Sequence, residues 1–107
     1  MTRNEQHNLS TAKYHFTIAL AHGQRDLTDQ VTIDAISMRI IAAIEALNAL
    51  SPETRDTLVG DVWRDMRAMR NRIAHAYDTV DPDLVAITVS EDIPRLMERL
   101  EALIAKK

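Results

Sequence analysis

The stretch from Ile33 to Leu50 limits the fold most strongly, because its apolar residues recur every three or four positions and it contains neither glycine nor proline. This spacing matches the turn of an α-helix and gathers the apolar side chains on one wide face. The face comprises Ile33, Ile36, Ile40, Ala43, Ile44, Leu47 and Leu50. Such a face has to be covered by other elements, so the stretch predicts a buried helix with Asp29 or Thr32 as its N-cap.

The remainder of the chain also favours helices over strands. Apolar residues keep helical spacing over residues 9–27 and again over residues 96–104. Two glycines and three prolines supply few turns for a many-stranded sheet. Residues 84–89 are rich in β-branched side chains, yet no second strand is available to pair with them. We therefore predict an all-α, up-and-down bundle of four or five helices that forms a single domain over residues 1–107, with residues 1–8 frayed.

A few residues mark where the predicted helices begin, end or bend. Ser51-Pro52 and Asp81-Pro82 each combine a capping residue with a proline at the first helical position. Asp61 is a candidate cap for the helix that follows it. Gly23 indicates either the end of the first helix or a close approach by another helix. Pro94 either separates two helices or kinks a single one.

The composition excludes several classes of protein. The chain has no cysteine, which excludes disulfides and thiolate sites and fits a reducing cytoplasm. No charged start followed by an apolar run marks a signal peptide, and no run of 18 apolar residues marks a membrane span. His15 and His22 lie about 10 Å apart along a helix, too far for one metal ion. We expect exposed histidines, a cytoplasmic protein without a membrane partner, and neither a metal nor a cofactor.

Positive charge is concentrated between Trp63 and Tyr77. The stretch holds four arginines and one acid, a local charge of +3 that leaves the other 92 residues at −6. With Arg70 set at 0° and each residue advancing about 100°, the apolar residues occupy one side of this helix. They are Val62, Trp63, Met66, Met69, Ile73, Ala76 and Tyr77. The pattern predicts a helix that is buried on one side, with Trp63 in the core, and basic on the other.

Two residues of this helix suit phosphodiester chemistry but do not stack on each other. Arginine offers a planar fork for phosphate oxygens, and histidine can exchange a proton near neutral pH. Asn71 falls at roughly 100° and His75 at roughly 140° from Arg70. A site that uses both Arg70 and His75 therefore needs the arginine to curl round the helix, the helix to distort near His75, or a second subunit to supply one of the two residues.

The sequence Arg70-Asn71-Arg72-Ile73-Ala74-His75-Ala76-Tyr77 resembles the signature of HEPN-domain proteins, an arginine and a histidine separated by four to six residues. The tyrosine two places after the histidine narrows the resemblance to the HepT family, the toxin half of a toxin–antitoxin pair. Trp63-Arg64-Asp65, Val80-Asp81 and Ile93-Pro94-Arg95-Leu96 also look like that family. The similarity runs from about residue 38 to residue 104, and the N-terminal third matches only in helical character.

The resemblance implies a HEPN bundle that forms a homodimer, with the site where two protomers face each other. It implies a metal-independent endoribonuclease with Arg70 and His75 as catalytic residues, acting as the toxin of a type II toxin–antitoxin pair. Its antitoxin would be an MNT-type nucleotidyltransferase that attaches AMP to Tyr77 and thereby inhibits cleavage. The alternative is a non-catalytic HEPN module that only docks to a nucleotidyltransferase or is modified by it. An unrelated structural bundle is a third reading.

Three further residues are candidates for supporting roles. Asn71 lies one turn before His75 and could orient its imidazole or bind RNA, or be a plain surface residue. Arg67 and Arg72, like Arg64, could follow an RNA backbone. The three arginines point in different directions, so at least one of them is expected to be solvated or ion-paired, with Asp65 as a possible partner.

Overall fold

The computed structural model describes residues 1–75 and 81–106, and over these ranges the regular structure is helical, with no strand. The helices are α1 (Arg3–His22), α2 (Gln30–Asn48), α3 (Pro52–Val59), α4 (Trp63–His75), α5 (Pro82–Ile87) and α6 (Ile93–Ala105). A π-helical turn, Thr88–Asp92, joins α5 to α6 without a break. The predicted all-α fold is confirmed, and residues 84–89 are helical rather than extended.

The core forms around α2, which packs against α1, α4 and α5. The whole predicted apolar face of α2 is buried, and Ile36, Ile40 and Leu47 are completely inaccessible to solvent. Leu9 and Phe16 from α1 and Ile93 and Leu100 from α6 complete the same core. The helical period of the sequence therefore identified the central helix correctly, because a wide apolar face is stable only when other helices cover it.

Local capping chemistry sets the starts of three helices. The side chain of Asp29 accepts a hydrogen bond from the N–H of Val31 at the start of α2. Ser51 caps α3 and Asp81 caps α5 in the same way, each just before a proline. These caps were predicted from sequence and are confirmed. The carboxylate of Asp61, expected to cap α4, instead receives two hydrogen bonds from Arg99 at 2.7 and 3.0 Å.

The N-terminus differs from its prediction. Residues 1–8 were expected to fray, but α1 begins at Arg3, and Thr2 is its N-cap. The carboxylate of Glu5 holds this first turn against the start of α3, because it accepts hydrogen bonds from the N–H of Ser51 at 3.2 Å and from the hydroxyl of Thr54 at 3.1 Å. The hydroxyl of Ser51 lowers the pKa of Glu5 most, and the bonds from the N–H of Ser51 and the hydroxyl of Thr54 lower it further. The contact lies 46 residues away in sequence, where a local pattern could not reveal it.

At Gly23 and at Pro94 the structure decides between alternatives that the sequence left open. Gly23 is the C-cap of α1, and a β-carbon built there would collide with Val89, so it is both a helix end and a point of close approach. Pro94 lies just after the π-turn, where the N–H of Ile93 bonds to the carbonyl of Thr88. The wider turn accommodates a residue that lacks an N–H, so α5 and α6 form one continuous, irregular helix.

Candidate active site

Helix α4 presents its basic side to solvent and its apolar side to the core, as its sequence predicts. Met66 and Ile73 are buried, and Val62, Trp63 and Met69 are partly buried against the core. The exposed residues are Arg64, Asp65, Arg67, Ala68, Asn71, Arg72 and His75. Because the apolar side is fixed by α2, the polar side has a defined direction, which a catalytic or binding surface needs.

Arg70 is the arginine of α4 that turns back towards the protein. Its Nε lies 2.8 Å from Oε1 of Glu45 on α2, and its side chain is 30% exposed. Nε itself is buried and has no well-directed hydrogen bond, so the contact with Glu45 is an ion pair set by charge rather than by N–H geometry. The Nη1 of Arg70 donates a hydrogen bond of 3.3 Å to Oδ1 of Asn71. The guanidinium is therefore held from two sides.

A small cleft of about 110 Å³ separates α4 from α2 at this point. Three of the predicted site residues, Arg67, Arg70 and Asn71, line it. The remaining lining residues are Ile44, Glu45, Asn48 and Trp63. The guanidinium of Arg55 lies 5.0 Å from the centre of the Trp63 ring, a cation–π contact that supports a structural role for this tryptophan. The structure thus groups two basic side chains, Arg67 and Arg70, and two amides, Asn48 and Asn71, at one opening.

His75 lies apart from this cleft. It is the last residue of α4 that the structure describes, it is exposed, and it does not line the cleft. Helix α4 is regular through His75, so the helix distortion that could have aligned His75 with Arg70 does not occur. On such a helix the two residues are about 7.5 Å apart along the axis and roughly 140° apart around it. Arg70, for its part, is turned towards Glu45 on α2 and Asn71.

Of the remaining predicted site residues, none that the structure describes lines the cleft. Arg72 is exposed and does not line the cleft, and Asp65 forms no ion pair with an arginine among residues 1–75 and 81–106. Tyr77, the predicted site of AMP attachment, lies outside the described residues. Over the described part of the chain, no group of three or more His, Cys, Asp or Glu side chains could hold a metal ion.

Glu45 is the site residue that the sequence reasoning missed. It is the only charged residue between Arg39 and Glu53, in a stretch that otherwise reads as core. A lone acid on the flank of a buried helix, in a protein with one strongly basic helix, was a signal that could have identified it. Pairing it with Arg70 would still have required the packing of α2 against α4.

A second cavity, of about 240 Å³, lies between α4 and the helix formed by α5, the π-turn and α6. Its lining is mostly apolar and includes Phe16, Met66, Met69 and Ile93. None of the predicted site residues that the structure describes lines it. We therefore place the candidate site at the cleft of Arg70 and along the polar side of α4.

None of the helices in the described ranges has the length and apolar character needed to cross a membrane.

Comparisons with known proteins show which family the chain is similar to. The model of a family described as "Ribonuclease HepT-like" matches residues 16–103. A segment of 41 residues is 46% identical to a protein of Thermococcus cleftensis named "Probable ribonuclease HepT". That segment covers 38% of this chain and 37% of the relative, so the aligned part is little more than a third of either protein. No solved structure matches the chain significantly.

Proposed function

Because the chain belongs to the HepT-like ribonuclease family, we propose that it is a metal-independent endoribonuclease that uses Arg70 and His75. The observation that supports the proposal is that Arg70 lines the cleft between α4 and α2 while His75 is exposed on the same helix, both within the stretch that the family model matches. The exposed arginines of this helix give a local positive charge in a protein whose net charge is −3. Attraction of an RNA backbone to this helix would therefore be local rather than global.

The proposed reaction needs only a base and a cation. His75 takes the proton of the ribose 2′-hydroxyl, and the resulting oxygen attacks the adjacent phosphorus atom. The bond to the 5′-oxygen breaks, that oxygen takes a proton from solvent, and a 2′,3′-cyclic phosphate remains. Arg70 donates hydrogen bonds to the non-bridging phosphate oxygens, where negative charge develops in the transition state.

The orientation of α4 supports a site shared between two copies of the chain. Arg70 turns towards α2, and His75 is exposed about 140° around α4 from it, which favours a second protomer as the source of one of the two side chains. A two-fold axis that places one copy of α4 beside the other would bring the Arg70 of one protomer near the His75 of its partner. We therefore propose a homodimer with two equivalent sites.

We further propose that the protein is the toxin of a type II pair in the cytoplasm, controlled by a nucleotidyltransferase antitoxin of the MNT type. AMP attached to Tyr77 would add a negative phosphate two residues beyond His75, where the cations that bind RNA could bind the modification instead. Incubation with such a partner, ATP and Mg²⁺ should add AMP to the wild-type chain and not to Tyr77→Phe. Cleavage should fall as the modification accumulates. Modification that leaves cleavage intact would contradict this control.

Catalysis is tested with purified protein and a labelled RNA. His75→Ala and Arg70→Ala should each lower cleavage by about 10²–10⁴-fold, since each removes a group that acts in the transition state. Wild-type cleavage should survive EDTA and leave a cyclic phosphate. Matched controls are His7→Ala and Arg25→Ala, which remove an exposed histidine and an exposed arginine outside α4. Full activity in His75→Ala, or loss of activity with EDTA, would overturn the mechanism.

A second candidate function is a non-catalytic module that binds the nucleotidyltransferase. The observation in its favour is that Arg70 is already ion-paired with Glu45 while His75 lies outside the cleft. Expression of the chain alone in growing cells separates the two functions. A ribonuclease should arrest growth, and His75→Ala should relieve the arrest, whereas a binding module should leave growth unchanged in both cases.

A further inference from the structure

Glu45 is anchored on the most deeply buried helix of the protein. Its neighbours Ile44 and Ala46 are buried, and its own side chain is 51% exposed at the edge of the cleft. The carboxylate therefore reaches the cleft from a backbone that the core holds in place. A side chain on a rigid helix can fix the position of a partner more accurately than one on a loop.

Arg70 uses only part of its hydrogen-bonding capacity in the protein. Nε faces the carboxylate of Glu45, and one N–H of Nη1 bonds to Asn71. As far as residues 1–75 and 81–106 are concerned, these contacts leave the Nη2 group and the second N–H of Nη1 for a ligand. We propose that Glu45 is a positioning residue for RNA cleavage, which holds Arg70 by its Nε side so that the Nη groups meet the scissile phosphate. This inference rests on the ribonuclease function proposed above.

The negative charge of Glu45 gives the proposal a kinetic signature. A carboxylate beside Arg70 repels the phosphate backbone, so its removal should strengthen RNA binding or leave it unchanged. Without Glu45, however, the guanidinium must be ordered again in each reaction, and small misplacements of a catalytic group can cost on the order of 10²-fold. We expect Glu45→Ala to lower kcat by about 10- to 100-fold, with a KM that is unchanged or lower. A loss of folded enzyme lowers the apparent kcat and leaves KM unchanged, so a KM below that of wild type, or a kcat corrected for the folded fraction, separates the two causes.

Two further variants sharpen the kinetic test. Glu45→Gln keeps an oxygen at the same reach from α2 and loses the charge, so its kcat should lie clearly above that of Glu45→Ala. Asp34→Ala removes an equal charge from α2 at an exposed position bonded to Gln30, and it should behave as wild type. Equal kcat values for wild type and Glu45→Ala would overturn the proposal. A higher kcat in Glu45→Ala would overturn it as well, since Glu45 would then restrain Arg70 rather than position it.

The ion pair can also be observed without RNA. The Nε–H resonance of Arg70, assigned by its absence from Arg70→Lys, should show slow exchange with water in the wild type and faster exchange in Glu45→Ala. An unchanged resonance would contradict the positioning role. Wild-type protein that cleaves no RNA would instead remove the proposed function, and with it any catalytic role for Glu45, even if the resonance responds as expected. A failure of the positioning role and a failure of the proposed ribonuclease function therefore give different experimental results.

Discussion

At the residue scale, the contact between His15 and Arg39 requires an uncharged histidine. Nη1 of Arg39 lies 3.0 Å from Nδ1 of His15, and because a guanidinium only donates, Nδ1 has to accept. Burial first, and then the positive charge of Arg39, lower the pKa of His15 below its ordinary value of 6.5. The sequence reasoning expected an exposed histidine here, which was wrong because the partner comes from another helix, 24 residues later.

This contact predicts that mild acid destabilises the protein. The unfolded chain protonates His15 at an ordinary pKa, whereas the folded chain does so only at lower pH, so stability should fall as pH drops from about 7.5 through 6.5. Urea unfolding at about pH 7.5 and 5.5 measures the effect. His15→Gln keeps an acceptor for Arg39 but does not titrate, and it should show a weaker pH dependence, unlike the exposed control His7→Gln. An equal pH dependence in wild type and His15→Gln would contradict the assignment.

Contacts between different helices also limit what the sequence could predict about the candidate site. The sequence put forward Arg67, Arg70 and Asn71 from their place in the motif and on α4, and in the structure these three residues line one cleft. Their part in the site stays a prediction. The sequence could not identify Glu45 as the partner of Arg70, since that pair depends on how α2 and α4 cross. Whether His75 and Arg70 act on one phosphate remains a prediction.

At the scale of helices, boundaries were predictable where the capping residue and the helix lie next to each other in sequence. Asp29, Ser51 and Asp81 are examples, because each accepts a hydrogen bond from an N–H within three residues. The start of α1 also has a local cap, because Thr2 accepts a hydrogen bond from the N–H of Glu5, and the sequence reasoning missed it. The bonds from Glu5 to Ser51 and Thr54, by contrast, join residues too distant in sequence for a local pattern to show.

Gly23 offers a test of close packing between α1 and the π-turn. Its backbone is in the ordinary right-handed helical region, so alanine meets no backbone strain, but the new methyl group would collide with Val89. We expect Gly23→Ala to lower the free energy of unfolding by about 1–3 kcal/mol, the usual cost of an overpacked contact. Val89→Ala in the same chain should recover part of this loss, a coupling measured by a double-mutant cycle. Gly23→Ala as stable as wild type would show that the two segments separate easily.

At the scale of the whole molecule, charge and packing divide the protein into a scaffold and a basic helix. The core residues hold α4 by its apolar side, and three of its four arginines, Arg64, Arg67 and Arg72, are exposed to solvent. With a charge of +3 on residues 63–77 and −6 on the rest, the scaffold would repel RNA that is not aligned with α4. This arrangement suits a protein that binds RNA in one orientation.

The shared site predicts that two inactive variants should restore activity to each other. In a mixed dimer of Arg70→Ala and His75→Ala, one of the two sites combines the intact Arg70 of one protomer with the intact His75 of its partner. Each variant alone forms only incomplete sites. If a site takes one residue from each protomer, mixing equal amounts under conditions that allow subunit exchange should recover about a quarter of wild-type cleavage. That value follows from half of the dimers being mixed, each with one complete site.

If instead each protomer supplied both residues, no combination of these variants would contain a complete site, and the mixture would stay inactive. Two controls complete the experiment. The first is the double variant Arg70→Ala with His75→Ala, mixed with wild type, whose mixed dimers contain no complete shared site. The second is light scattering, which should give twice the mass of one 12.1 kDa chain at the assay concentration. An active monomer, or an inactive mixture in which subunits have demonstrably exchanged, would exclude the shared site and leave the curling of Arg70 around α4 as the remaining route to His75.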